Sequence, residues 1–401
     1  MREVLTVEQY QAELAVLVEA DARVEEVPLA AAAGRVLADA VRSASSLPPF
    51  DNSAMDGYAV RFADVADVPV VLAVAGESRA GSAETPSAAP GACVRIMTGA
   101  PLPAFADTVV PLEDTDDGRS RVEVRVRPAR RGAYVRPAGD DIGVGALLAD
   151  AGVELTAALL GAAAAAGVVT VPVRPRPVVA VRASGDELVS DGSPLRPGQV
   201  YDSNSPALAA AVARDGALPL STTPVGDDGA ALAAWLDAVA GQVDLVVLTG
   251  GASVGAYDVV RDVLQAAGGT FRHVRVQPGK PQGWALWSGT PVLSLPGNPV
   301  SAQLSYEVFV RPLLDRILGR AERPWFTAVA GAAWASPPGR RQLVPVRLTT
   351  TAQGRLTAMP AHPKGSASHL VTAPARADGY VVVAEDATSV SPGDPLPARW
   401  W

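Results

Sequence analysis

The sequence predicts a multidomain chain of mixed α/β and β architecture, with a central parallel-sheet α/β domain. Three observations predict it. Three short apolar runs, Val178 to Val181, Asp244 to Leu248 and Pro291 to Leu295, have the length and β-branched content of buried strands. Helical patterns separate them, as they separate the strands of a parallel sheet. Each run leads into a glycine-bearing loop: Ser184 to Glu187, Thr249 to Gly255, and Leu295 to Pro299. Those loops open at the carboxyl edge of the strands, where ligands of α/β sheets bind. Glycine lets the backbone approach an anion, and helix N-termini beside it offer free N–H groups. A phosphorylated ligand is the expected occupant.

The flanking elements follow in chain order. Thr6-Val7-Glu8-Gln9 has capping-box spacing and predicts a helix to about Ala20. A second helical pattern covers roughly Leu29 to Val41. Ser43 to Pro49 is turn-rich, and from there to about Asp140 the chain reads as a small β domain. In it, Val122, Val124 and Val126 alternate with Glu123, Arg125 and Arg127, the period of a half-exposed strand. Asp140 to Val173 returns to helix and strand, expected to pack against the first forty residues. The uncharged stretch Leu155 to Val173 is 19 residues long, formally enough to span a bilayer. It is mostly Ala and Gly and breaks at Gly167 and Pro172. It reads instead as a buried helix to about Ala166, a Gly167 cap and a strand through Val173. After a proline-rich hinge at Arg174 to Pro177, Ser205 reads as an N-cap, Pro206 as the first helical residue and Gly216 as the stop. Pro299 to Leu318 is a strong helix closing at Gly319. Leu343 to Leu348, Arg355 to Met359 and Tyr380 to Ala384 make a second all-β domain at the C-terminus.

Composition narrows the chemistry. A chain of 401 residues with 42 acidic and 34 basic side chains carries a formal charge of −8. That argues against coating nucleic acid, which needs phosphate neutralisation. An anionic ligand would rely on a few local Lys, Arg and backbone donors. One cysteine, Cys93, excludes an internal disulfide and a thiolate metal cluster. His273, His362 and His369 are widely spaced, so a metal here is expected to be a hard cation held by carboxylates. The acidic N-terminus with Glu3, Glu8 and Glu13 has no apolar signal core. The expected location is cytoplasmic, without membrane insertion.

Several motifs hold two readings each. The turn Gly250 to Gly255 cradles a phosphate or is an ordinary glycine turn. Asp258 three residues on holds Mg²⁺ beside it or caps the next helix. Asp186 and Glu187 bind a metal, a ribose hydroxyl or a heterocycle's NH edge, or form a solvated turn. Asp227 and Asp228 are a second acidic pair, in a glycine-rich loop. Gln277-Pro278-Gly279-Lys280-Pro281 is a rigid turn that presents one lysine to an oxyanion or simply carries a surface lysine. Ser301, early in its helix, donates to an anion or simply caps. Asp51 to Ala59 and Arg95 to Ala100 put polar residues on a β-domain surface that is a candidate site.

Taken together, Phe50 to Ala59, Arg95 to Ala100, Gly185 to Leu188, Tyr201 to Asn204, Gly250 to Asp258, Pro278 to Pro281 and Leu295 to Ser301 resemble the molybdopterin molybdenumtransferases. This is the MoeA family, which includes the C-terminal part of gephyrin. The resemblance runs from about Val7 to the C-terminus. It implies four domains: a discontinuous N-terminal domain (1–44 and 140–173), an inserted β-rich domain (45–139), an α/β molybdopterin-binding domain (174–322) and a C-terminal β-barrel-like domain (323–401). It implies a homodimer whose cleft is shared between subunits. The implied reaction inserts molybdenum from molybdate into adenylylated molybdopterin, with Mg²⁺ assisting and AMP released. Partners in keeping with it are an adenylyltransferase handing over substrate and apo-molybdoenzymes receiving product.

Roles carry over by position. Glu187, Asp227 and Asp258 would serve the nucleotide and Mg²⁺. Asp56 and Thr98 would reach the cleft from the partner subunit. Lys280 and Ser301 would contact molybdate, with Arg340 or Arg341 and a serine of the Gly365 to Ser368 stretch, Ser366 or Ser368. Gly185, Asp186, Asp202, Asn204, Gly250, Gly251, Ser253, Gly255, Gly279, Pro296, Gly297 and Asn298 would line the substrate. Molybdate is a tetrahedral dianion that wants such donors, and the pterin's dithiolene supplies the sulfur ligands, so one cysteine suffices. Two positions depart from the family pattern. Gln277 stands where relatives often have Lys, and Phe105 where Gly is common. Competing readings are a scaffold without turnover and an adenylyltransferase sharing the α/β domain. The retained acids and Lys280 oppose the first, and the flanking β domains oppose the second.

Overall fold

The computed structural model describes residues 4–82, 85–250 and 259–401. Its centre is a seven-stranded mixed sheet in the order 4–5, 270–274, 281–287, 290–295, 245–249, 178–183, 218–221. The three strands expected from the sequence form its middle: Leu245–Thr249 pairs in parallel with Val178–Ala183 on one side and with Thr290–Leu295 on the other. Helices cover both faces, so alternate residues feed two cores. Val179, Val181, Leu245 and Val247 enter one, while Ala180, Val246 and Leu248 enter the other. This is why these strands read as continuous apolar runs.

The expected N-terminal capping box is present: Thr6 Oγ1 accepts from Gln9 N at 3.2 Å, and Gln9 Oε1 accepts from Thr6 N at 2.8 Å. The helix it opens, Val7–Ala15, stops earlier than Ala20. It belongs with the central sheet, not with residues 25–44. Val4–Leu5 pairs in parallel with His273–Val274, and Tyr10 packs edge-on against Phe309 at 5.0 Å. The apolar face of Val7, Tyr10 and Leu14 finds its partner surface there.

The expected helix over Leu29 to Val41 does not form. A single 3₁₀ turn, Leu29–Ala31, is followed by Gly34 at φ +69° and then by extended chain. Val36 bridges Glu154 and Leu37 bridges Val173, so pairing with a distant strand overrides the local pattern. Residues 25–42 and 147–173 do pack together, through Glu25–Pro28 with Thr170–Val173 and Val41–Arg42 with Leu147–Ala149. Thr156 caps the helix Ala157–Ala165, and Gly167 at φ +80° ends it. The helix is not buried as expected: of its nine residues only Ala163 is. Two-stranded ribbons are too narrow to wrap a helix, so most of its apolar surface stays open.

The inserted β unit is a five-stranded sheet in the order 108–111, 57–60, 92–96, 70–78, 121–124. Val122 and Val124 are buried as the alternation predicts, but the strand ends there and Val126 is half exposed. Phe105 lies under the Arg61 guanidinium, 4.7 Å from its ring centre.

Two helices refine the sequence reading. Ser205 is not an N-cap: the helix begins at Asn204, and Asp202 Oδ1 accepts from the N–H groups of Asn204 and Ser205 at 3.0 and 3.1 Å. Asp is among the side chains that best accept from free helix N–H groups, and here it takes both. Pro299 to Leu318 is helical to Gly319, but a π-turn at Tyr306–Val310 interrupts it. Pro312 follows and has no N–H for the Val308 carbonyl; Gln11 Nε2 donates to that oxygen at 2.9 Å.

The C-terminal strands close on themselves in the order 341–350, 356–360, 326–330, 395–400, 379–383 and back to 341–350, a small barrel. Val276–Gln277 of the central unit pairs in parallel with Arg341–Gln342 at its rim.

Candidate active site

The three loops meet at the carboxyl edge of the central sheet, and glycine lets them touch. Ser184 N donates to the Thr249 carbonyl at 2.8 Å and Gly185 N to that of Val225 at 3.0 Å. Gly250 sits at φ +91°, and a Cβ there would lie 2.4 Å from the Ser184 carbonyl oxygen. A Cβ on Gly297 would lie 3.3 Å from Gly250 Cα. At these positions glycine therefore serves loop-on-loop packing. Asn204, 7 % exposed, ties the assembly: its Nδ2 donates to Gly297 O at 2.7 Å and reaches Thr249 Oγ1 at 3.4 Å.

These loops enclose a cleft of about 970 Å³. Gly185, Glu187, Asp202, Asn204, Asp227, Gly250, Gly279, Pro296, Gly297, Asn298, Ser301 and Ser368 line it, all positions expected from the sequence. Among the described residues, the buried Asp202 Oδ2 and Asn204 Oδ1 have no hydrogen-bond partner. The two acidic pairs separate by role. Asp186 accepts from Asp227 N at 2.9 Å and braces the turn, whereas Glu187 and Asp227 face the cleft. Asp228 caps the helix Gly229–Val239 through the N–H groups of Ala230 and Ala231. Gly251, Ser253, Gly255 and Asp258 lie outside the described residues.

A second hollow of about 480 Å³ lies between the Gln277 turn and the barrel. Gln277 lines both hollows. Arg340 Nη1 donates to Gln277 Oε1 at 3.1 Å, and Ser366 Oγ accepts from Gln342 Nε2 at 3.2 Å. The lining holds Arg340 and Lys364 and no carboxylate. Arg341, the next residue, turns the other way and pairs with Glu8 and with Glu385 at 3.0 Å. Ser368 belongs to the larger cleft, where Asn298 Nδ2 donates to its hydroxyl at 3.1 Å. Lys280 is half-buried with no ion-pair partner among the described residues. Trp334, Gln342 and Lys364 were not marked by the sequence. Gln342 sits in a strand at a position that alternation assigns to the barrel core, so no signal there distinguishes it.

Asp56 and Thr98 face each other on the β insert. Thr98 donates to Asp56 Oδ1 from its backbone N–H at 2.6 Å and its hydroxyl at 2.8 Å. The backbone N–H, followed by the hydroxyl, holds the Asp56 carboxyl below the usual range. Neither residue lines the two hollows. Asn52 and Ser53, read as surface residues, are buried and bond the carbonyls of Phe50 and Met55.

Comparison with known proteins agrees along the whole chain. Residues 5–167 match the MoeA N-terminal region (domain I and II), 180–316 a probable molybdopterin binding domain, and 327–398 the MoeA C-terminal region (domain IV). Molybdopterin molybdenumtransferase 2 of Mycobacterium tuberculosis is 43% identical over 383 residues, 92% of this chain and 93% of the relative. Molybdopterin molybdenumtransferase of a Nostoc species is 39% identical over 79% of this chain and 75% of its own. The crystal structure of a molybdopterin biosynthesis MoeA protein from Pyrococcus horikoshii covers 100% of both chains at 31% identity, with a TM-score of 0.80. The chain belongs to the MoeA family of molybdopterin molybdenumtransferases.

Proposed function

We propose that the protein catalyses the insertion of molybdenum from molybdate into adenylylated molybdopterin, with Mg²⁺-dependent release of AMP. The observation that carries this reading is the shared wall. Gln277 lines both the large, acid-bearing cleft and the smaller, carboxylate-free hollow. A nucleotide-sized ligand and a small oxyanion would therefore lie side by side.

The large cleft supplies the adenylylated pterin's environment. Buried acceptors at Asp202 and Asn204 suit ring N–H groups. Glu187 and Asp227 line the cleft and would hold a cation, and Mg²⁺ commonly uses one or two carboxylates with substrate phosphate and water. Asp258 would join them. Bound Mg²⁺ would neutralise the charge that develops as the phosphoanhydride breaks. The small hollow offers Arg340, Lys364 and Ser366 to a tetrahedral dianion, with Lys280 in the adjoining turn. Arg341 is committed elsewhere by its two ion pairs.

A homodimer accords with the open apolar helix Ala157–Ala165 and with Asp56 and Thr98, which line neither hollow. Among the described residues no helix is long and apolar enough to cross a membrane. A cytoplasmic enzyme fed by an adenylyltransferase and discharging to apo-molybdoenzymes is the setting in keeping with this chemistry. The test is AMP release from adenylylated molybdopterin with Mg²⁺, with and without molybdate. Molybdate-dependent release at catalytic protein concentration supports the transferase; no release from folded protein refutes it.

A further inference from the structure

Hydrogen-bond direction in the small hollow is fixed by groups that can only donate. Trp334 Nε1–H has no acceptor capacity, and it donates to Gln342 Oε1 at 3.1 Å. The Gln342 amide is thereby oriented, and its Nε2 donates to Ser366 Oγ at 3.2 Å. Gln342 and Ser366 are 6 % and 5 % exposed, so water does not compete freely for these bonds. The Ser366 oxygen is engaged as an acceptor, which leaves its hydrogen to be given away. The same logic orients Gln277. Arg340 can only donate, so Oε1 of Gln277 faces it and the amide N–H₂ is left to donate. Gln277 and Gln342 are register partners in a parallel ladder, so the two amides stand side by side. With Arg340 and Lys364 in the lining and no carboxylate, the side chains offer donors and no committed acceptor.

The geometry points to Gln342, held by Trp334, as a specificity-determining residue that makes this hollow select fully ionised tetrahedral oxyanions over hydrogen phosphate. The inference rests on the reading of this hollow as the molybdate site. Near neutral pH molybdate carries no proton, and each of its oxygens accepts. Inorganic phosphate keeps at least one proton, and that P–O–H needs an acceptor. Ser366 keeps a second lone pair, but with Gln342 donating to its oxygen it could accept from that group only by turning its own buried hydrogen away from the anion, where the described residues give it no acceptor. Gln342 acts through Ser366 and is a positioning residue.

The decisive substitution is Gln342→Glu. One carboxylate oxygen still accepts from Trp334, and the other now takes the Ser366 hydrogen. Ser366 then turns a lone pair to the hollow and accepts from hydrogen phosphate. The added charge weakens every anion, so the readout is the ratio of two affinities. Full-length protein is titrated calorimetrically with sodium molybdate and, separately, with inorganic phosphate. Wild type is expected to favour molybdate, and Gln342→Glu to reduce that preference about tenfold or more, the scale of one hydrogen bond to a charged group. Arg340→Ala is expected to lose both anions. An unchanged ratio in Gln342→Glu, with molybdate lost in Arg340→Ala, overturns the polarity assignment and leaves the molybdate site standing. Molybdate binding unchanged in Arg340→Ala overturns the site itself. Where Gln342→Glu does not fold, Trp334→Phe releases the amide to flip and should shift the ratio in the same direction; no shift overturns the inference.

Discussion

Gly250→Ala tests the packing of the three loops most directly. The substitution acts twice. Gly250 has φ +91°, where an L-residue costs about 1–2 kcal/mol. The new Cβ would also lie 2.4 Å from the Ser184 carbonyl oxygen. That oxygen belongs to backbone, which cannot rotate away as a side-chain tip can, so about 1–3 kcal/mol of overpacking is added. The two together come to about 2–5 kcal/mol. The clash meets the Ser184 backbone, whose N–H donates to Thr249 O at 2.8 Å. Hydrogen exchange at the Ser184 amide reads that contact without assuming that the whole chain unfolds in one step. Protection there should fall about thirtyfold or more, while amides in the barrel strand Arg341–Thr350 hold their rates. Gly297→Ala, whose Cβ would meet Gly250 Cα at 3.3 Å, should be milder. Ser184 protection in Gly250→Ala within a factor of two or so of wild type would refute the argument that glycine is there for loop contact.

Other substitutions address separate links. Asp215 is fully buried and accepts from Tyr306 at 2.9 Å, Arg214 at 2.9 Å and Arg323 at 3.0 Å. Asp215→Ala should cost about 3–5 kcal/mol by stranding these donors, measured by thermal unfolding; a loss below about 1 kcal/mol would contradict it. The Asp56 carboxyl is held low by Thr98, so its contact is intact above the ordinary aspartate range and is lost as pH falls through the lowered folded value. The Thr98 amide resonance should therefore titrate with a midpoint below that of an unperturbed aspartate, and a midpoint at or above it would count against the contact. Lys280→Ala should raise the molybdate concentration needed for AMP release about tenfold while nucleotide affinity holds; a fall in nucleotide affinity instead would mean the turn serves the other anion. Asp258→Asn should remove Mg²⁺-dependent turnover and leave the melting temperature unchanged, and retained turnover would deny it a metal role.

The central sheet was legible because burial on both faces leaves an unmistakable trace: Val178–Ala183, Leu245–Thr249 and Thr290–Leu295 are apolar at every step but few. The cleft residues followed, since strand ends and glycine loops fix where a ligand sits. Where pairing is non-local the local pattern misled. Leu29 to Val41 has helical spacing, yet Val36 and Leu37 find strand partners more than a hundred residues away. Ala157–Ala165 is apolar enough for a core but lies open, because burial depends on what surrounds a helix and not on its own composition. Gln342 escaped notice because a polar side chain whose bonds are made inside a barrel rim looks, in sequence, like an interruption of a strand.

The ladder between Val276–Gln277 and Arg341–Gln342 fixes more than a register. A second tie lies nearby, where Val300 N donates to Ser368 O at 3.0 Å and Asn298 holds the Ser368 hydroxyl. The barrel is thus tied to the central unit beside each hollow, in addition to the Arg341–Glu8 ion pair and the packing of Leu343 and Tyr380 into the central core. Each hollow therefore takes one wall from the central unit and one from the C-terminal unit, so a substitution that shifts their packing alters the shape of both at once.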